Sequence, residues 1–200
     1  MKTNIFNIFL QGFKMKKLLA AAALLSLFLF GCSQDIGVNQ PVQSKATHEI
    51  IKLPAISSLS SEAIVSVSET IDGTVGGAVY LNQSVAGGPF GQVVFNGELD
   101  VPQGAYSGTQ NIAITFDDQT TAATYTPSPF YFDQPVTLTL ELKGLDLTGV
   151  DPNTVDFVYI DPTGQIDHVQ YSSIQVDLAT GTLKVVGAEL HHFSRYGFID

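Results

Sequence analysis

Several carboxylates in this chain are close enough in sequence to share a bound cation. The pair Asp117 and Asp118, and the set Asp156, Asp161 and Asp167, offer the oxygen ligands that calcium prefers. Their spacing matches no known calcium loop, so solvated acids at strand ends and turns are the other interpretation. Paired carboxylates also hydrolyse glycosides, but that reaction needs a particular distance between the two carboxyl groups. The positions of these acids in the sequence do not indicate that distance. Calcium binding is kept as an alternative, and a glycosidase is not predicted.

Histidines and tyrosines offer two further kinds of site. His168 and the neighbours His191 and His192 lack a third ligand at a useful spacing, which argues against a metal site. Tyrosines on a β-sandwich can stack on sugar rings, although they are also common as partly buried strand residues. The tyrosines concerned are Tyr80, Tyr106, Tyr125, Tyr131 and Tyr159. The chain has no tryptophan, the best anchor for a sugar, so glycan binding is kept only as an alternative.

The only cysteine, Cys32, ends a run that resembles a bacterial lipoprotein signal. Lys16 and Lys17 precede an apolar stretch over residues 18–30, which is too short to span a bilayer as a helix but suits a signal peptide. In lipoproteins the thiol after the cut takes a diacylglyceryl group, and a fatty acid such as palmitate is added to the new N-terminus. The resemblance implies that residues 1–31 are removed between Gly31 and Cys32, with Met15 as the true start.

Charge excludes one class of partner. Four of the nine lysines and arginines lie in the predicted leader, which leaves five basic and 19 acidic residues and a net charge of −14. Such a surface repels nucleic acid and anionic headgroups. We therefore predict no nucleic-acid binding, and we expect membrane attachment through the lipid on Cys32.

The rest of the chain predicts a tether and one all-β domain. Residues 32–61 are largely polar, show no sustained period and contain Pro41 and Pro54, which favours a flexible tether. Residues 62–200 carry short alternating runs separated by turn residues, with corners at 161–164 and 179–181. In the clearest run, Val136, Leu138, Leu140 and Leu142 share one face. The pattern predicts an antiparallel β-sandwich with Greek-key connections.

Three motifs resemble the ZU-five domain, a β-sandwich named after zonula occludens and netrin-receptor proteins. Residues 101–105 (Val-Pro-Gln-Gly-Ala) form its corner motif, and 112–115 (Ile-Ala-Ile-Thr) form the strand that follows. Residues 127–140 are similar to its long strand motif, with Pro129 where a glycine is usual. The resemblance covers roughly residues 70–200 and includes the ending His-Phe-Ser-Arg-Tyr at 192–196.

That ending implies one reaction. In some ZU-five proteins and in related autoproteolytic domains, a His-Phe-Ser triplet cuts itself. The resemblance would make Ser194 the nucleophile, the Phe193 carbonyl the point of attack and His192 the general base. The alternative is structural, with Phe193 and Tyr196 packed in the core and a bulge or turn between them.

We therefore predict a lipid-anchored protein of the bacterial cell envelope with a non-catalytic structural or interaction role. Self-cleavage at Phe193–Ser194 and glycan or calcium binding are the alternatives. Expected partners are the membrane, through the lipid, and an envelope protein or glycan. Ser33 after the cysteine, rather than Asp, is compatible with an outer membrane where a cell has two.

Overall fold

The computed structural model describes residues 48–54 and 65–200, and over these residues the protein is all-β. The described part contains no helix long and apolar enough to cross a membrane. The strands are β1 (Val65–Asp72), β2 (Gly77–Ala86), β3 (Gln92–Val101), β4 (Thr109–Phe116), β5 (Ala123–Thr126), β6 (Phe130–Lys143), β7 (Asp156–Ile160), β8 (Ile166–His168), β9 (Ser173–Asp177), β10 (Thr182–Phe193) and β11 (Arg195–Ile199).

Two antiparallel sheets pack face to face, which confirms the predicted β-sandwich. The strand order is β1-β4-β5-β11-β7-β8 in the six-stranded sheet and β2-β3-β6-β10-β9 in the five-stranded sheet. Alternation along each strand sends one set of side chains inward. On β6 the four predicted residues, from Val136 to Leu142, are all buried. They join one main core made by the inner faces of both sheets.

A short segment before the sandwich also belongs to it. The Ile51 N–H donates to the Phe198 carbonyl at 2.9 Å, and the Thr121 N–H donates to the Ile51 carbonyl at 2.9 Å. Ile51 and Leu53 are buried. For residues 48–54 the predicted tether is therefore wrong, because the side chains of Ile50, Ile51 and Leu53 pack against the sandwich. The other tether residues lie outside the described residues, as do the leader and Cys32.

This segment gives the six-stranded sheet a second apolar face. Ala122, Val158, Ile160 and Ile199 form a separate buried cluster, and Ile50 packs against it. Phe157, by contrast, belongs to the main core. Neighbouring residues of β7 are therefore buried on opposite faces, which explains why the sequence of this strand is a nearly continuous apolar run.

The end of the chain forms two strands that belong to different sheets. β10 ends at Phe193 in the five-stranded sheet, and β11 begins at Arg195 in the six-stranded sheet. Ser194 is the one residue between them, and the chain changes sheets there. Phe193 and Tyr196 are both buried, so the turn between them resolves a spacing that one regular strand would not allow.

Candidate functional site at the corner between β10 and β11

Three hydrogen bonds hold the corner at Ser194. The Tyr125 N–H of β5 donates to the Ser194 carbonyl at 2.7 Å, and the Tyr196 hydroxyl donates to the His192 carbonyl at 2.7 Å. The Ser128 hydroxyl, from the loop before β6, donates to the Phe193 carbonyl at 3.1 Å. Each carbonyl of the His-Phe-Ser triplet therefore has a donor that fixes its direction.

Aromatic packing anchors the middle residue of the triplet. The Phe193 ring lies edge-on to Phe132, with centroids 4.7 Å apart, and is stacked on Tyr125 at 6.0 Å. Phe193 is fully buried. Because the Phe193 ring contacts strands of both sheets, these contacts fix the position of the peptide bond between Phe193 and Ser194.

Ser194 lines a surface cavity of about 500 Å³. The cavity is also lined by His48, Ser128 and Arg195, and by the loop of residues 161–164. The His48 Nδ1 lies 3.3 Å from the Asp200 carbonyl, and the Arg195 guanidinium donates to the Thr120 hydroxyl at 3.0 Å. The residue that would supply the nucleophile therefore borders a space that water can enter.

His192 lies in a different environment. Its ring is 4.7 Å from the Tyr159 ring, 5.4 Å from Tyr131 and 6.0 Å from Tyr196, measured between centroids. The Tyr196 hydroxyl lies 3.4 Å from His192 Nδ1. His192 does not line the cavity that contains Ser194, and within the described ranges no hydrogen bond joins the two side chains. Although the two residues are only two positions apart, no hydrogen bond joins the proposed base to the proposed nucleophile in the described residues.

Tyr125 and Tyr196 pack at this corner, and burial raises the pKa of both hydroxyls. Both phenols are therefore neutral at physiological pH. Tyr196 uses its proton in the bond to the His192 carbonyl. The Tyr125 hydroxyl is fully buried and has no hydrogen-bond partner among the residues that the structure describes.

The predicted carboxylate set of Asp156, Asp161 and Asp167 is not gathered into one site. Asp156 accepts hydrogen bonds from His168 Nδ1 at 2.5 Å and the Tyr171 hydroxyl at 2.9 Å. Burial and the contact with Asp156 raise the pKa of Tyr171 to about 12. Asp161 instead caps its own turn. Over residues 48–54 and 65–200, no three His, Cys, Asp or Glu side chains lie close enough to hold a metal ion.

Several other acids also cap turns. Asp117 accepts the N–H of Gln119 at 2.9 Å and that of Thr120 at 2.8 Å. Asp161 accepts the Thr163 hydroxyl at 2.8 Å and the Gln165 N–H at 2.8 Å, and these bonds lower the pKa of its carboxyl. The same local pattern lowers the pKa of Asp72, Asp146, Asp151 and Asp177. These carboxylates stabilise loops.

The predicted tyrosine surface is divided in the structure. Tyr106 and Tyr125 are buried, and Tyr159 is half-buried beside His192. Tyr80 on β2 and Tyr131 on β6 are exposed, at 67% and 74%. Two of the five tyrosines therefore cannot contribute to an open sugar-binding face.

Sequence reasoning missed Ser128 and His48 at this corner. Ser128 lies 65 positions before Phe193, and His48 lies 152 positions before Asp200. His48 stands in no motif, and the motif that contains Ser128 does not indicate its contact with Phe193, since only the pairing of distant strands brings these residues here.

No protein-family model matches this chain, and no curated protein or solved structure matches it either.

Proposed function

We propose that this chain is a lipid-anchored protein of the bacterial cell envelope, and that its β-sandwich has a non-catalytic structural or interaction role. The lipid anchor is supported by the basic start, the apolar run and the Gly31–Cys32 ending. Acylated Cys32 would hold the domain outside the cytoplasm, at an outer membrane where the cell has two. The partner would be an envelope protein or glycan, and the acidic surface disfavours nucleic acid.

One observation carries the non-catalytic role: the His192 imidazole lies among three tyrosine rings, and no described hydrogen bond joins it to the Ser194 side chain. Among the acids that could have offered other chemistry, Asp117 and Asp161 are bound to backbone N–H groups of their own turns. These contacts use the reactive side chains to stabilise the fold.

A ZU-five-like sandwich with Greek-key connections is the finer form of the fold that we propose. The Val-Pro-Gln-Gly-Ala motif follows from the end of β3, and the Ile-Ala-Ile-Thr motif lies within β4. The third motif runs into β6, so the three motifs keep their order along the structure. That order supports the proposal.

Replacing Cys32 tests the anchor. Cells that express the full chain and Cys32→Ser are fed a fatty acid that can be labelled, and membranes are separated from soluble protein. We expect label and membrane association for the native chain and loss of both for Cys32→Ser. Equal labelling of the two chains, or a native chain that carries no label, would contradict the proposal.

Self-cleavage is the second candidate, because two observations favour it. The Ser128 hydroxyl donates to the Phe193 carbonyl, which would stabilise negative charge on that oxygen, and Ser194 lines a cavity open to water. The Ser194 Oγ would attack the Phe193 carbonyl carbon and lose its proton to a base. The carbon–nitrogen bond would then break, giving an ester and a free Ser194 amine, and water would hydrolyse the ester.

Intact mass under denaturing conditions separates the two candidates. A single species that ends at Asp200 supports the non-catalytic role. Loss of the mass of residues 194–200, absent from Ser194→Ala, would establish cleavage and overturn that role. Ser128→Ala and His192→Ala then separate the donor from the base. Denaturation is needed because β11 pairs with β5 and β7 and would stay docked after a cut.

A further inference from the structure

The outer face of the five-stranded sheet carries a row of polar side chains that crosses every strand. Asn82 of β2 lies opposite Asn96 of β3, and Asn96 lies opposite Glu141 of β6. Lys184 of β10 lies opposite Glu141 on one side and Gln175 of β9 on the other. Neighbouring strands are about 4.8 Å apart, so the part of the row from Asn82 to Lys184 spans about 14 Å. The row is therefore long enough to contact an extended ligand.

A surface cavity of about 500 Å³ lies at this row. Its lining includes the row from Asn82 to Lys184, together with Tyr80, Glu98 and Thr139. This volume is typical of sites that bind small ligands. Amide, carboxylate, ammonium and hydroxyl groups together supply both hydrogen-bond donors and acceptors. The cavity therefore suits a ligand whose groups each donate and accept, as hydroxyl groups do.

The carboxylate in the middle of the row is held in position. Lys143 Nζ lies 2.9 Å from Glu141 Oε2, and Lys184 Nζ lies 3.9 Å from Glu141 Oε1. Burial acts to raise the pKa of Glu141, but hydrogen bonds from Lys143 and Asn96 and the charges of the two lysines lower it. Glu141 is therefore an ionised acceptor at neutral pH. A side chain that is already ordered loses less entropy when a ligand binds.

Tyr80 supplies an apolar surface beside these polar groups. It lies on the edge strand β2, opposite Glu98, and is 67% exposed. The charge of Glu98 and its hydrogen bond to the hydroxyl raise the pKa of Tyr80, so the phenol is neutral at physiological pH. An aromatic ring offers a large apolar face for packing. A sugar has the matching chemistry, because its ring has an apolar C–H face and a rim of hydroxyl groups.

The charges around the cavity favour a neutral ligand. Of the four lysines and arginines in the described part of the chain, Lys143 and Lys184 flank Glu141, which leaves the middle of the row without a strong negative charge. Glu98 and Asp100 lie near Tyr80. They add to the repulsion that a chain of net charge −10 exerts on acidic polymers. A neutral glycan therefore fits this face better than an acidic one.

The same lining disfavours a protein partner. Among the described residues of this cavity, Tyr80 is the one large apolar side chain that is strongly exposed. Protein interfaces commonly have a core that is poor in charge and rich in apolar area, whereas this cavity has a carboxylate and an ammonium group at its centre. The polar row with a single aromatic ring is therefore better matched to a glycan.

We propose that this cavity binds a neutral oligosaccharide. The Tyr80 ring packs on the apolar face of one sugar, and the side chains from Asn82 to Glu141 exchange hydrogen bonds with sugar hydroxyls. The inference rests on the interaction role proposed above and deepens it, since it selects a glycan as the partner and names the surface. It does not depend on the lipid anchor.

Glycan binding by the full chain with Cys32→Ser tests the proposal. An array of neutral and acidic glycans identifies the ligand, and isothermal titration calorimetry measures its affinity. We expect a neutral oligosaccharide to bind, and we expect Tyr80→Ala and Glu141→Gln each to weaken binding by at least about ten-fold. Tyr80→Phe keeps the ring and should stay within about two-fold of the parent chain.

Tyr131→Ala is the matched control, because Tyr131 is 74% exposed on the same sheet but does not line this cavity. Its affinity should be unchanged, and the urea midpoints of all variants show whether each one is folded. Binding of no neutral glycan, tighter binding of acidic glycans, or equal losses from Tyr80→Ala and Tyr131→Ala would overturn the inference. The labelling of Cys32 and the intact mass would be unaffected, so such a failure would not count against the proposed envelope role.

Discussion

Replacing Tyr125 by phenylalanine should stabilise the domain. The Tyr125 hydroxyl is fully buried, lies among Phe193 and Tyr196, and has no hydrogen-bond partner within the described residues. A buried polar group without a partner costs about 1–3 kcal/mol. Removing the oxygen recovers most of that cost, less the contacts that the atom makes. We expect Tyr125→Phe to raise the free energy of unfolding by about 1–2 kcal/mol, which corresponds to a rise in Tm of roughly 3–6 °C.

Tyr196→Phe is the matched control, because its ring contacts Tyr125 but its hydroxyl has a partner. It donates to the His192 carbonyl at 2.7 Å, and losing that bond should cost about 1–2 kcal/mol. Urea unfolding of both variants, followed by circular dichroism in the Cys32→Ser background, measures the two effects. The chain has no tryptophan to report on unfolding. If Tyr125→Phe were destabilised as much as Tyr196→Phe, the Tyr125 hydroxyl would have a partner and the reasoning would fail.

Three further changes test the loops and the segment before the sandwich, each by its urea midpoint. Gly144→Ala should lower the free energy of unfolding by well over about 1 kcal/mol, because the φ of Gly144 is +81° and a Cβ would lie 2.1 Å from the Gln92 carbonyl oxygen. Gly91→Ala is the control, because the φ of Gly91 is +87° but nothing lies within 4 Å of a Cβ there, and its loss should be smaller. Equal losses of stability in the two variants would contradict the steric argument. The pKa of the Asp161 carboxyl is lowered in the folded protein, so its hydrogen bonds stabilise the fold at pH values above 3.8, the pKa of the unfolded chain. This stabilisation is lost as the pH falls through the folded-state pKa. Stability should therefore decline in acid, and Asp161→Asn should flatten that decline; an unchanged profile would count against the cap. Ile51→Ala should cost about 2–5 kcal/mol if residues 48–54 are part of the fold, whereas a tether residue would cost almost nothing.

Part of the fold could be predicted from local pattern. The alternation from Val136 to Leu142 specified both a strand and its buried face, and the Asp-Pro-Thr-Gly sequence specified a corner between β7 and β8. β5 was missed because its four residues, Ala123–Thr126, are too few to show a period. Residues 48–54 were misassigned because their burial depends on pairing with Ile199, at the far end of the chain.

The candidate site, like the fold, could be predicted from the sequence only in part. The His-Phe-Ser triplet was visible because its residues are adjacent, and the structure then placed His192 among tyrosines and Ser194 in a cavity. Ser128 donates to the Phe193 carbonyl across 65 positions, and no short motif carries that information. The triplet could be found in the sequence, but the contacts on which its chemistry depends could not.

The amino-acid sequence by itself determined the all-β class, most strand positions and the inward faces, because side-chain alternation is a property of each strand alone. Only the tertiary structure decided the strand order, the change of sheet at Ser194 and the position of β2 at an edge. These features depend on which distant segments pair, and that choice minimises the free energy of the whole core rather than of any local stretch. The same reason explains Tyr125, whose hydroxyl is buried among side chains of distant strands that no local pattern relates to one another.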